Sequence, residues 1–425
     1  MTTLRVHSPF SFWNELPADG QLLFMTRLAR LFAYGFLSVV LVLYLVQIGL
    51  SEIQAGALLT LTLVGDSAIT LWITTHADRY GRRRMLLAGA ALMLLAGILF
   101  IFTQNFFLLL FAATVGVISP SGNEVGPFLS IEQASLAQLI PDRRRTAIFA
   151  WYNLVGSFAT ALGAICSGMI VQLVQNATHS DLAGYQAVIA GYALFGLLLA
   201  ALFLRLSPRV EVAPLAPNPA GRPATSRGLL GLGASRGTIL RLSGLFSLDA
   251  FAGGFVIQSL VAYWFHVRFD LEPALLGAIF FGANIMAGIS ALSAAWMARR
   301  IGLINTMVFT HLPSNVLLML IPLMPNLPLA ITVLLLRFSI SQMDVPTRQS
   351  YVMAVVTPEE RSSAAGVTGI ARTIGASISP VFTGLLLSNP ALASVPFLIA
   401  GGLKIVYDLI IWRSFSQVKP PEELK

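Results

Sequence analysis

Stretches of apolar residues about twenty long recur from residue 24 to residue 415, and this repetition constrains the chain more than any single motif does. A helix of that length matches the roughly 30 Å hydrocarbon layer of a bilayer, whereas helices of a soluble core carry a polar face. Proline, glycine and arginine clusters divide the runs into twelve spans, at about 24–48, 53–75, 85–103, 106–139, 146–174, 185–206, 241–267, 273–297, 303–323, 328–356, 362–387 and 393–415. Composition agrees: 56% of the residues are hydrophobic and 11% charged, where a soluble domain carries about 25% charged. The chain therefore reads as an all-α membrane protein with twelve transmembrane helices. The segment before the first span lacks the short apolar core of a cleavable signal, so it is expected to stay.

The formal charge of +8 does not indicate nucleic acid, because almost every arginine flanks an apolar span. The loop 76–84 holds Arg79, Arg82, Arg83 and Arg84. The next on that side holds Arg143, Arg144 and Arg145, and the centre of the chain holds Arg209, Arg222, Arg227 and Arg236; the opposite loops hold only Arg268. Lys/Arg bias in short loops sets orientation, so both termini are expected in the cytoplasm and the protein is expected in the cell membrane. Residues 207–240, rich in proline, glycine and arginine, read as a cytoplasmic linker between two six-helix bundles, 1–206 and 241–425.

The two halves repeat each other. FAYGF at 32–36 and FAGGF at 251–255 stand 219 residues apart, as do Tyr44 and Tyr263; ADRYG at 77–81 and ARRIG at 298–302 stand 221 apart; PDRRRTA at 141–147 and PEERSSA at 358–364 stand 217 apart. Three landmarks in order at nearly one offset mark a duplicated, pseudo-symmetric bundle.

With these features the chain resembles the major facilitator superfamily, whose two six-helix halves face each other around a central cavity. The most specific element is TTHADRYGRRRML at 74–86, similar to the family pattern G-x-x-A-D-R-x-G-R-(R/K)-x-x-L: Asp78, Arg79, Gly81, Arg82 and Arg83 match, and Thr74 replaces the leading glycine. The resemblance implies a conformational loop in which Asp78 faces the start of span 11, with the arginines anchoring the turn at anionic headgroups. In the second copy Arg299 stands where Asp78 does, and Asp142 is its expected partner. GASISPVFTG at 375–384 resembles the glycine–proline pattern of proton-driven exporters, although it lies in span 11 and span 5 lacks the proline.

Ionisable residues inside a bilayer cost a few kcal/mol each and mark candidate sites. Arg30 and Asp249 occupy equivalent places in spans 1 and 7, and their opposite signs suggest a contact across the bundle. Arg337, Asp344 and Arg348 share a face of span 10 at spacings of 7 and 4, and Arg372 lies mid-span in span 11 as a candidate substrate contact. Asp66, Glu124, Glu132, Asp249 and Asp344 are the candidate proton carriers, led by Asp249 and Glu124. SPSGNEVGP at 119–127 is expected to bend or unwind span 4 around Glu124. Lys404 and Asp408, four apart, are expected to satisfy each other outside the site.

No nucleotide-binding loop, clustered metal spacing, serine elbow or cysteine–histidine pair is present, and Cys166 stands alone. The expectation is a non-enzymatic, cofactor-free and metal-free monomer that moves a small organic solute by alternating access. It is read as a proton-coupled exporter whose partners are the solute, a coupling proton and the lipid bilayer, with a lean toward anionic solutes. A proton-coupled importer or uniporter of the same fold, and a ligand sensor that does not transport, are the alternatives.

Overall fold

The computed structural model describes residues 16–123, 127–140, 142–211, 235–357 and 360–418, with Trp13 and Gly233 besides. Every regular element among them is helical. Ten helices are long and apolar enough to cross a bilayer, eleven when the bent pair Ala18–Ser38 and Leu41–Gln47 is taken as one. The twelfth expected span is divided into Phe106–Val115 and Phe128–Leu139.

In chain order, span 1 is Ala18–Ser38 with Leu41–Gln47, span 2 Glu52–Tyr80, span 3 Arg82–Phe102, span 4 the divided pair, span 5 Asp142–Thr178 and span 6 Asp181–Leu204. Span 7 is Arg236–Gly254 with Gln258–Phe269, span 8 Pro273–Ile301, span 9 Leu303–Leu320, span 10 Leu327–Ser341 with Asp344–Ala354, span 11 Arg361–Leu387 and span 12 Val395–Phe415. Most of the linker, 212–232 and 234, lies outside the described residues; its edges form a short turn at Pro208–Val210 and the first residues of span 7.

The packing repeats as the sequence does. Span 1 lies along span 5 as span 7 lies along span 11, and span 3 along span 6 as span 9 along span 12. Between the first and last six spans, span 2 lies along span 11 and span 5 along span 8. Each of these seams is tightened by glycine, as helices do when no apolar driving force separates protein from lipid. A methyl group built on Gly56 would stand 2.5 Å from the Pro380 carbonyl oxygen and 3.0 Å from Gly384 Cα, and one on Gly277 would stand 2.6 Å from the Ala164 carbonyl oxygen and 3.2 Å from Gly168 Cα. Gly56 and Gly277 are 221 residues apart and Gly168 and Gly384 are 216 apart, so the two seams are copies of one another. Both lie toward the end of the bundle away from the chain termini, here called the far end.

Polar bonds close the same end. The Gln258 amide donates to the Ser38 hydroxyl (2.8 Å), the Tyr263 hydroxyl to Glu52 (2.8 Å), the Val381 N–H to the Thr60 hydroxyl (3.0 Å) and the Ser259 N–H to the Pro120 carbonyl (3.1 Å). The breaks in spans 1, 4 and 7 meet here: Gly122, at φ +69°, brings span 4 against Ser38 and Gln258. Unwinding is present at 116–123, reaching into the stretch expected to open at 119–127, with Val117 at φ 54° and its carbonyl accepting from the Tyr192 hydroxyl (3.1 Å); residues 124–126 lie outside the described residues. At the break in span 10 the Gln342 N–H is satisfied by the Ser290 hydroxyl (3.1 Å). Irregular backbone inside the bundle is tolerated because neighbouring helices supply the missing partners.

The loop between spans 2 and 3 turns at Gly81, φ +100°, and its copy turns at Gly302, φ +86°. The arginines do not all reach for headgroups. Arg82 is 8% exposed and donates to the Gln138 side chain (3.1 Å) and the Val210 carbonyl (3.2 Å), and Arg83 donates to the Leu204 carbonyl (2.6 Å). Glu211 accepts from the Arg82 and Arg83 N–H groups, a carboxylate at a helix start where free amides point out. The loop is thus tied to the exit of span 6; Arg79, over the Tyr80 ring at 5.7 Å, and Arg84 are exposed and fit the headgroup role. The side chains of Asp78 and Asp142 lie outside the description, and with them the expected contacts to span 11 and Arg299.

Candidate functional site

Among the described residues, most charges buried within the spans fall into two separate groups, one in each half, and Asp66 lies apart from both. In the first six spans, Glu132 is fully buried and receives donors from two other spans. Arg30 places Nη1 and Nη2 at 2.8 Å from its two oxygens, the Thr26 hydroxyl donates to Oε1 (2.8 Å), and the Tyr152 hydroxyl donates to Oε2. Arg27 lies over the Tyr152 ring at 4.3 Å and donates to Asn153 (3.1 Å), in space kept open by Gly156. A bidentate guanidinium plus two hydroxyls fills the acceptor capacity of a carboxylate. This group is a strut joining spans 1, 4 and 5.

The last six spans carry a larger group around Asp249 of span 7. Its Oδ1 lies 2.5 Å from Lys404 Nζ of span 12 and 3.9 Å from His311 Nε2 of span 9. Oδ2 lies 3.3 Å from Arg348 of span 10 and 3.5 Å from Arg372 of span 11. Arg348 also bonds Asp344 one turn earlier (2.9 Å). Behind them His311 Nδ1 meets Asp408 at 2.8 Å, and the Asn315 amide donates to the other Asp408 oxygen at 2.9 Å. Arg337 lies over the Phe338 ring at 4.8 Å, and the Asp344 charge reaches both Arg337 and Arg372.

Two pairings expected from sequence are therefore corrected. Arg30 and Asp249 do not meet across the bundle, because each is taken up within its own six spans. Lys404 does not pair with Asp408: span 12 turns Lys404 onto Asp249 and leaves Asp408 to His311 and Asn315, so Lys404 belongs to the site. The continuous stripe of Arg337, Asp344 and Arg348 is interrupted by the break before Asp344, although Asp344 and Arg348 do pair. Asp66 is buried on span 2 within electrostatic reach of Tyr192, and Glu124 lies outside the described residues. Lys404 and Asp408, expected outside the site, belong to it, and His311 and Asn315 join them without having been site candidates; their spacing of four in an apolar run was the available signal.

Helices of this length, two copies of one packing plan, a sealed far end and charged groups buried between spans define a membrane transporter fold. The chain belongs to the Major Facilitator Superfamily, whose family model matches residues 23–380. It is 35% identical over 417 residues to the uncharacterized membrane protein YJR124C of Saccharomyces cerevisiae, covering 92% of this chain and 93% of that one. Its fold is similar to that of a D-xylose–proton symporter (14% identity, TM-score 0.73, 96% of this chain and 99% of that one). It is also similar to that of the human organic anion transporter MFSD10 (17% identity, TM-score 0.61, 93% and 100%).

Proposed function

We propose that this protein is a secondary transporter that moves a small organic solute by alternating access, driven by a proton gradient and working in the direction of export. The observation that carries the reading is the Asp249 group. One carboxylate meets side chains from spans 9, 10, 11 and 12, so a change in its charge is felt by four helices that must move together. Asp249 is the coupling residue in this reading. Glu132, saturated by its donors, is structural. In this reading the protein is a cell-membrane monomer with its arginine-rich loops and both termini in the cytoplasm, and the sealed far end faces outward. The proton-coupled neighbour of the same fold supports coupling by analogy.

The test is proton release from purified protein when candidate organic anions and cations are added, with Asp249→Asn, Glu124→Gln and Glu132→Gln beside the unmodified chain. A ligand-dependent proton signal lost in Asp249→Asn alone supports the assignment. Ligand binding with no proton signal in any form removes coupling and leaves a uniporter or a sensor.

A further inference from the structure

The Asp249 group holds more cation than carboxylate, and the excess lies at its accessible edge. Four permanent cations, Arg337, Arg348, Arg372 and Lys404, face three carboxylates, Asp249, Asp344 and Asp408. Asp408 is already engaged by His311 and Asn315. Asp249 and Asp344 are then left to four cations, and their bonds are shared unequally. Lys404 and Arg348 take the short contacts, while Arg372 has a 3.5 Å ion pair and no hydrogen bond to its buried Nη1. The Nε of Arg337 is likewise buried without a hydrogen bond. Arg372 is 34% exposed, whereas the side chains of Asp249, Asp344, Arg348, His311, Lys404 and Asp408 are all below 10%.

We propose that the solute carries a carboxylate or similar oxyanion that binds the Arg372 guanidinium and loosens it from Asp249. This rests on the transport reading for its position between the halves. The guanidinium fork matches a planar oxyanion bidentately and is half-released already. A cationic solute would add to the surplus, and a neutral one would leave the Arg372 guanidinium without a full counter-charge in a low-dielectric site. The incoming anion supplies the missing charge and the missing acceptors together.

The experiment uses purified full-length protein in phosphatidylcholine vesicles and measures binding of benzoate, lactate and succinate against benzamide, lactamide and succinamide. Each carboxylate is expected to bind at least tenfold more tightly than its amide. Arg372→Gln is expected to abolish that preference and Arg372→Lys to keep part of it, while unfolding temperatures and residual amide binding report that the variants are folded. Equal binding of acid and amide, no carboxylate binding, or an undiminished preference in Arg372→Gln overturns the proposal. Repeating the titration with phosphatidylglycerol in the vesicles separates the sources. Unchanged carboxylate binding supports a soluble anion, and loss of it by competition assigns the same guanidinium to a lipid headgroup and overturns the solute assignment. Carboxylates that bind but are never carried into vesicles defeat the transport reading and leave the anion site standing. Carriage of neutral solutes without acid preference does the reverse.

Discussion

Glu132 and Asp249 are both carboxylates buried among cations, yet their surroundings give them different work. Glu132 is matched by one guanidinium and two hydroxyls. Replacing it with glutamine leaves Arg30 buried without a counter-charge, and breaking such a pair costs about 3–5 kcal/mol. Glu132→Gln is therefore expected to lower the unfolding temperature in detergent sharply, and Arg30→Met with Glu132→Leu to recover much of the loss; equal instability of single and double variants would argue against the strut. Asp249→Asn leaves Lys404, Arg348 and Arg372 facing Asp344 alone, because Asp408 is engaged by His311 and Asn315, so it is expected to lower the unfolding temperature at least as much and to remove coupling besides. The members of both groups were mostly legible in the sequence because a charge within an apolar run is conspicuous. Their partners were not. The four-residue rule joined Lys404 to Asp408, but the fold carries Lys404 to a residue 155 positions away. His311 is less conspicuous in sequence because a single histidine in an apolar run is more often a packed core residue than a member of a charged group.

At the scale of the element, the broken spans divide into those the sequence announces and those it does not. SPSGNEVGP contains two prolines and two glycines, and span 4 unwinds there. Spans 1 and 10 break at Val39–Val40 and Gln342–Met343, which contain neither residue; cross-span partners such as Ser290 compensate for them, and a local pattern cannot show a partner from another helix. Span count, the two copies and the loop turning at Gly81 were readable because they depend on length, offset and one backbone conformation. The glycine seams belong with the unreadable features until contacts are known. Gly56→Leu forces a side chain into backbone at 2.5 Å, whereas Gly402 has nothing within 4 Å of its Cβ position. Gly56→Leu, and its copy Gly277→Leu, should therefore splay the far end. Spin labels at Gln47 and Arg268, in a Cys166→Ala background, would report a longer distance for both and none for Gly402→Leu.

For the whole molecule the question is how firmly the far end is held. Four described polar bonds cross between the halves there, through Ser38, Glu52, Thr60 and Pro120 on one side and Gln258, Tyr263, Val381 and Ser259 on the other. Each contributes about 0.5–1.5 kcal/mol net, so together they favour the closed far end by roughly 2–6 kcal/mol. That is the range in which a ligand with modest differential affinity can reverse a two-state equilibrium, and a much firmer seal would hold the protein in one state. Tyr263→Phe with Ser38→Ala removes two of the bonds without disturbing a glycine seam. The expected consequence is a shift of about 1–3 kcal/mol, roughly a 5- to 150-fold change in the ratio of far-closed to far-open protein, toward the open form. Distance distributions between the same two labels measure that ratio directly. A double variant whose distribution matches the unmodified protein would mean that the glycine seams alone set the balance, and the polar bonds only fix register.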